Sequence, residues 1–391
     1  FYLVPSASIS LQHLLSLQEY GQSVWMDDLD REIIQSGELK RKLEEDGITG
    51  LTSNPKTFSD AITGKAVYND AIKSATQAGK STQEIAEELI FEDIRNACDI
   101  FRPVYEASGH QDGYVSIEVS PDLARDTQGT LEAARRYFKI VDRDNVLIKI
   151  PGTTEGIPAI RQAIAEGINV NVTLLFSLER YEQAAWAYIK GLEERVKKGE
   201  LIDRVASVAS FFLSRIDVKV DEQLDERIKT IGTENLSEEA RLSQLKGKVA
   251  IANAKLAYQK FQEILHSDRW KALEKKGANV QRVLWASTST KDPSYSDVMY
   301  VDRLIGAHTI NTIPPKTIRA CLDHCNPSRN SVEEGIDEAH QLIQSLSDSD
   351  IQINLDQVMA ELIKEGIQKF ADPYNEMLRS LEEKSKQLVP A

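Results

Sequence analysis

Short segments rich in β-branched and aromatic residues recur eight times along this chain, and most are followed by a stretch whose apolar residues have helical spacing. They fall near 23–27, 48–54, 114–119, 146–150, 169–175, 205–211, 282–287 and 307–312, after a helical lead-in at 11–20. Strands that alternate with helices pair in parallel, because each return path runs through a helix, and eight such units close into a (β/α)8 TIM barrel. The expected class is therefore α/β, with one barrel domain over 1–391. A barrel of this kind uses about 250 residues, and the chain has 391. The surplus is expected as helices near 55–112, 216–280 and 313–391. Ser81-Thr82-Gln83-Glu84 reads as a capping box opening the first group. Ile216, Val220, Leu224, Ile228 and then Leu245, Val249, Ala252, Leu256 mark apolar faces in the second, and Leu378, Leu381 and Leu388 do so in the tail. No internal repeat or low-complexity linker divides the chain.

Side-chain parity says which way the strands face. Ser116, Glu118 and Ser120 alternate with Val115, Ile117 and Val119; Asn169, Asn171 and Thr173 alternate with Val170, Val172 and Leu174. Helices cover the outside of a barrel, so the polar set is expected to point inward and toward the C-terminal mouth, where barrel enzymes keep their sites. In Asn145-Val146-Leu147-Ile148-Lys149-Ile150-Pro151-Gly152-Thr153, Lys149 shares parity with Leu147. It is expected inside, with Val146, Ile148 and Ile150 packed outward. An ammonium lodged among aliphatic groups loses hydration, which favours the neutral amine, and a neutral amine can condense with a ketone to an electron-accepting iminium. The other reading is that Lys149 ends a strand and snorkels to water.

Polar residues gather at the predicted C-terminal strand ends: Asp27, Asn54, Glu118, Lys149, Asn171, Thr173, Ser210 and Ser287. One carboxylate can take a hydroxyl proton as a carbon–carbon bond breaks, and a second, with a hydroxyl, can hold a water that shuttles protons. Arg215 and Lys291 are the candidate phosphate-binding cations. Against this stand plainer readings: Asp27 and Asp28 capping the next segment, Glu118 in an ordinary ion pair, Arg215 and Lys291 solvated. Cys321-Leu322-Asp323-His324-Cys325 has metal-like letters but reads as a helix with both cysteines on one packed face. Asp348-Ser349-Asp350 lacks the glycine and acid that a calcium loop needs at Ile353 and Met359. The six histidines show no metal or triad spacing, and no phosphate loop or dinucleotide fingerprint is present, so nothing signals a nucleotide.

Composition limits the partners. A formal charge of −14 argues against nucleic acid and anionic membranes, leaving an anionic substrate to be caught by a local cationic pocket. Three cysteines, Cys98, Cys321 and Cys325, are too few for a disulfide framework, which fits a reducing compartment. No apolar run reaches transmembrane length, and Phe1-Tyr2-Leu3-Val4 lacks the basic start of a signal peptide. The expected place is the cytoplasm; self-association is left open.

Seven motifs resemble transaldolase, specifically its longer bacterial type. They are Val24-Trp25-Met26-Asp27-Asp28-Leu29, Gly50-Leu51-Thr52-Ser53-Asn54-Pro55, Val115-Ser116-Ile117-Glu118-Val119, Leu147-Ile148-Lys149-Ile150-Pro151-Gly152-Thr153, Asn171-Val172-Thr173-Leu174-Leu175-Phe176-Ser177, Ser210-Phe211-Phe212-Leu213-Ser214-Arg215 and Leu284-Trp285-Ala286-Ser287. They follow the family's order across most of the chain. The resemblance implies transfer of a dihydroxyacetone unit from sedoheptulose 7-phosphate or fructose 6-phosphate to an aldose phosphate, glyceraldehyde 3-phosphate or erythrose 4-phosphate. It also implies the non-oxidative pentose phosphate branch, with no metal or cofactor. By the same resemblance Lys149 is the Schiff-base lysine and Asp27 the acid/base. Glu118 and Thr173 hold the catalytic water, Asn54, Asn171 and Ser210 orient the sugar, and Arg215 with Ser287 binds phosphate. The chain departs from the shorter members in having Ser289 where they carry a second phosphate-binding arginine; Lys291 is the candidate to replace its charge. The competing readings are a class I aldolase, which releases the three-carbon unit, and a catalytically silent barrel serving as a scaffold.

Overall fold

The structure, a computed structural model, describes residues 9–391, so the reading of Phe1-Tyr2-Leu3-Val4 lies outside the described residues. Eight parallel strands pair in chain order and close as a barrel: β1 Gln22–Asp27, β2 Gly50–Thr52, β3 Val115–Glu118, β4 Val146–Pro151, β5 Val170–Leu175, β6 Ser207–Phe212, β7 Arg282–Ala286 and β8 Thr309–Ile313, with β8 paired to β1. All eight expected strands are present. The second is shorter than the segment 48–54, because Asn54-Pro55 turns the chain into a helix. The Asn54 side chain accepts from the backbone of Thr57, and Pro55 takes the first helical position, where its missing N–H costs nothing.

Register does the work of assembling the mouth. Glu118 lies opposite Lys149, Lys149 opposite Asn171, and Pro151 opposite Thr173. Val146, Ile148 and Ile150 are buried in the core cluster, as the parity required, under the helices Thr127–Val141 and Gly156–Ala165. On β2, Gly50 leaves room for the Trp25 ring of β1; a Cβ there would lie 2.4 Å from the indole. Below the ring, Asp112 accepts from Trp25 Nε1 and Ser23 Oγ, and Arg282 donates to Ser23 Oγ, which seals the barrel floor with paired polar groups.

β5 is irregular. Its pairing with β6 slips between Val172 and Leu175, and Leu174 there has φ 57°. A bulky residue in the left-handed region is strained, on the order of 1–3 kcal/mol, and such strain gathers at functional sites.

The added helices fall where the surplus sequence lies. Pro55–Gly64, Asn69–Gln77 and the 26-residue Thr82–Ala107 fill the first interval, the last opened by the reciprocal Ser81–Glu84 capping box. Ser214–Ile231, Leu236–Leu245, Val249–Leu265 and Asp268–Glu274 fill the second. Pro315–His324, Ile336–Ser345 and the 34-residue Leu355–Leu388 form the tail. One contiguous buried cluster runs from Leu14 to Leu381. Among the described residues no helix is long and apolar enough to cross a membrane.

The expectation for the cysteines is corrected. Cys321 and Cys325 are joined in a disulfide, while Cys98 is free and buried. Both residues do face one packed side, but Cys325 is the cap at which the chain leaves the helix, with extended ψ of 143°, and this turns its sulfur onto that of Cys321. Between them, His324 pairs with Asp297 and Asp323. Asp348 and Asp350 bind the Arg241 guanidinium.

Candidate active site

At the C-terminal mouth a cleft of about 320 Å3 is lined by Asp27, Thr52, Asn54, Lys56, Lys149, Thr173, Ser210, Phe212, Arg215, Ala286, Ser287, Thr288, Ser289, Lys291, Thr312, Pro314 and Phe370. Of the polar strand ends, Asp27, Asn54, Lys149, Thr173, Ser210 and Ser287 line it, whereas Glu118 and Asn171 stand behind its wall. Lys149 is only 7 % exposed; its Nζ donates to the Ser53 carbonyl at 2.9 Å and lies 4.0 Å from Glu118 Oε2. The snorkelling reading is thereby excluded.

Asp27 does not cap the next helix. That role belongs to Asp30, which accepts from the Ile33 N–H, leaving Asp27 at the cleft wall, where its Oδ1 accepts from Thr52 Oγ1 at 2.9 Å. Thr52 Oγ1 is also 2.6 Å from Thr312 Oγ1, so the carboxylate is held through two adjoining strands. Next to it, burial, and then the charges of Asp30 and Asp27, push Asp28 up to about 6.

Glu118 is no ordinary surface ion pair. Its side chain is 6 % exposed, and burial holds its carboxyl above the usual glutamate range, with Asp27 adding to the shift and Lys149 and Arg215 opposing it. Glu118 Oε2 and Thr173 Oγ1 are both buried without a hydrogen-bond partner in the protein. Buried polar atoms are nearly always satisfied, and orphans at a cleft mark positions that a ligand or a water takes up.

Asn171 is placed differently from the others. It is fully buried beneath the cleft, its Nδ2 donating to Ser116 Oγ at 3.1 Å and its Oδ1 accepting from Ser210 Oγ at 2.7 Å. It therefore aims Ser210 and does not line the cleft itself. Asn54 serves both as helix cap and as cleft wall.

The other end of the cleft is cationic. Arg215 stands in the first turn of Ser214–Ile231, where unpaired N–H groups and the helix dipole favour an anion. Burial lowers its value, while Glu118 and Asp27 pull it up. Ser287 has φ 55°, and its Oγ is 2.6 Å from Ser214 Oγ at the same helix terminus. Lys291 donates to Ser289 Oγ at 2.7 Å. The residue is exposed on its outer side, yet the ammonium is crowded, and partial burial with Arg215 and Lys369 close by holds it below the ordinary lysine value. Ser289 is thus bonded to the lysine two positions on.

Phe370 was not legible in the sequence. The tail helix Leu355–Leu388 crosses the mouth: Lys219 pairs with its Glu361 and Glu365, and its Lys384 donates to the carbonyls of Ile62 and Lys65. This sets the Phe370 ring centroid 5.9 Å from Lys149 Nζ and 5.7 Å from Arg215 Cζ. Thr52, Thr312 and Phe212 were missed as well; the inward parity that Thr52 shares with the catalytic face was the available signal. Among the described residues no group of histidine, cysteine, aspartate or glutamate could hold a metal ion.

A parallel (β/α)8 barrel with a buried lysine, carboxylates and cations gathered at its C-terminal mouth has the form of a barrel enzyme. The sequence profile of the transaldolase/fructose-6-phosphate aldolase family matches residues 24–381, and the chain belongs to that family. It is 58 % identical over 382 residues to transaldolase 2 of Nostoc sp., covering 98 % of this chain and 100 % of the relative. It is 57 % identical to the transaldolase of Trichodesmium erythraeum, covering 97 % and 99 %, and 44 % identical to that of Saccharopolyspora erythraea, covering 95 % and 97 %.

Proposed function

We propose that the chain is a transaldolase that carries a dihydroxyacetone unit on Lys149 from a ketose phosphate to an aldose phosphate, in the non-oxidative pentose phosphate pathway. The observation that carries the reading is the buried Lys149 amine, 4.0 Å from Glu118 and in one cleft with Asp27. In this reading Lys149 Nζ attacks the C2 carbonyl of the donor, and loss of water gives the iminium. Asp27 takes the proton of the C4 hydroxyl as the C3–C4 bond breaks, and the aldose leaves. The retained enamine then attacks the acceptor aldehyde, and the steps run in reverse. Glu118 and Thr173 hold the water through which protons move to and from the nitrogen, supported by their two unpartnered oxygens. Ser210, aimed by Asn171, and Asn54 orient the sugar; Arg215, Ser287 and Lys291 bind its phosphate. The tail works with the barrel as part of one unit, in the cytoplasm.

Borohydride reduction in the presence of fructose 6-phosphate, followed by mass spectrometry, is expected to fix the three-carbon unit on Lys149. Donor supplied with and without erythrose 4-phosphate separates transfer from simple aldol release. An adduct on another lysine would refute the assignment.

Lys291→Ala is expected to raise KM for phosphorylated donors roughly tenfold, the scale of one charge-assisted contact, with little change in kcat. An unchanged KM removes Lys291 from the site. The pH profile carries the mark of Glu118. Its carboxyl takes up a proton at a pH above the ordinary glutamate value of 4.5, so as pH falls through that higher value the group turns neutral and stops accepting protons. The acid limb of kcat/KM should lie above 4.5 and vanish in Glu118→Gln. Asp28→Asn should leave that limb in place; if it is lost there instead, the limb belongs to Asp28.

A further inference from the structure

We propose that Phe370 is the positioning residue that decides whether the three-carbon unit on Lys149 passes to an acceptor or is protonated and released as dihydroxyacetone. The inference rests on the Schiff-base reading above and adds to it a determinant supplied from outside the barrel.

The cleft is polar except for a few groups, and among its described lining residues only Phe212 and Phe370 carry aromatic rings. Phe212 belongs to the barrel wall on β6, whereas Phe370 comes from the tail. Its ring sits 5.9 Å from the lysine nitrogen and 5.7 Å from the arginine carbon, spanning the reacting end and the phosphate end together. The approach is enforced one turn earlier. A Cβ on Gly366 would come within 2.8 Å of Leu174 Cδ2 and 3.3 Å of an Arg215 nitrogen, so a side chain there would push the helix, and Phe370 with it, off the mouth. Residues four apart share a helix face. Ion pairs at Glu361 and Glu365 and the Lys384 contacts hold the helix on both sides of the ring.

The chemistry needs such a wall. After the first aldose leaves, the enamine on Lys149 has two fates. In transfer its C3 carbon forms a bond to the acceptor aldehyde carbon, whose oxygen takes a proton; one water then adds to the iminium, and the C–N bond breaks to free the new ketose. In release, C3 takes a proton in place of the aldehyde, one water adds at C2, and the C–N bond breaks to give dihydroxyacetone and the free amine. Both fates use one water at C2, so they are separated by whether C3 meets an aldehyde or a proton first. An apolar ring over the nitrogen limits the water that can deliver that proton, and its other edge bounds the slot that the acceptor's phosphate reaches.

The test uses the full-length enzyme with fructose 6-phosphate as donor and erythrose 4-phosphate as acceptor, comparing wild type, Phe370→Ala and Phe370→Leu. The ratio of free dihydroxyacetone to sedoheptulose 7-phosphate is expected to rise about tenfold in the alanine variant and by a smaller factor in the leucine variant. A residue that only steadies the helix would lower both products together and leave the ratio flat. A flat ratio in both variants, or in leucine alone should the alanine variant not fold, overturns the proposal. Borohydride trapping separates the two readings: no adduct on wild-type Lys149 refutes the Schiff-base account, whereas an adduct with a flat ratio refutes only the role of Phe370.

Discussion

Lys149→Ala is expected to lower transfer by at least ~10^4-fold, since Lys149 is the buried amine of the cleft and the other lining lysines, Lys56 and Lys291, are exposed, while the far-UV circular dichroism stays that of the native barrel. The truncation removes one hydrogen bond, to the Ser53 carbonyl, and opens space on a cleft that solvent already reaches. It also strips Glu118 of the cation 4.0 Å away; with burial already favouring its neutral form, the carboxyl takes up a proton and the charge is not left stranded. The barrel therefore keeps its fold although its chemistry stops. Retention of even a few per cent of the activity, or a borohydride adduct on this variant, would move the nucleophile elsewhere.

The second large effect falls on Asp27. Asp27→Asn preserves an oxygen to accept from Thr52 Oγ1 but cannot take a proton, and transfer should fall by about 10^2- to 10^4-fold, the usual contribution of a general base. The two variants fail at different steps. In Asp27→Asn the donor still condenses with Lys149, so reduction should trap the whole ketose on the lysine, whereas Lys149→Ala traps nothing. If Asp27→Asn also abolishes the adduct, the carboxylate acts in forming the iminium and not in breaking the carbon–carbon bond.

Much of this site was readable in the sequence because a strand's period of two is rigid. Once Val146, Ile148 and Ile150 are assigned to the outer face, Lys149 has nowhere to go but inward, and Ser116, Glu118, Asn171 and Thr173 follow by the same rule. Loops and tails obey no such rule. Phe370 lies about 220 residues beyond Lys149, on a helix whose own pattern says only that one face is apolar; that this face lies on the mouth depends on the space at Gly366, which is a property of the packed molecule. Asn171 was found as a polar inward residue, but its role beneath Ser210 needed the geometry of two hydroxyls that flank it. The disulfide escaped for a similar reason: spacing four apart puts two cysteines on one face, and only the helix ending at Cys325 brings the sulfurs together.

Leu174 bears on attempts to graft this chemistry. Thr173 is aimed by a backbone that leaves the regular ladder between Val172 and Leu175, and Leu174 accepts a left-handed φ to allow it. Copying the lysine, the carboxylates and the threonine onto an idealised barrel would reproduce the letters but turn the hydroxyl away, because a straight strand presents that position at a different tilt. A successful transplant has to import the kink, together with the glycine-bearing helix that presses on it.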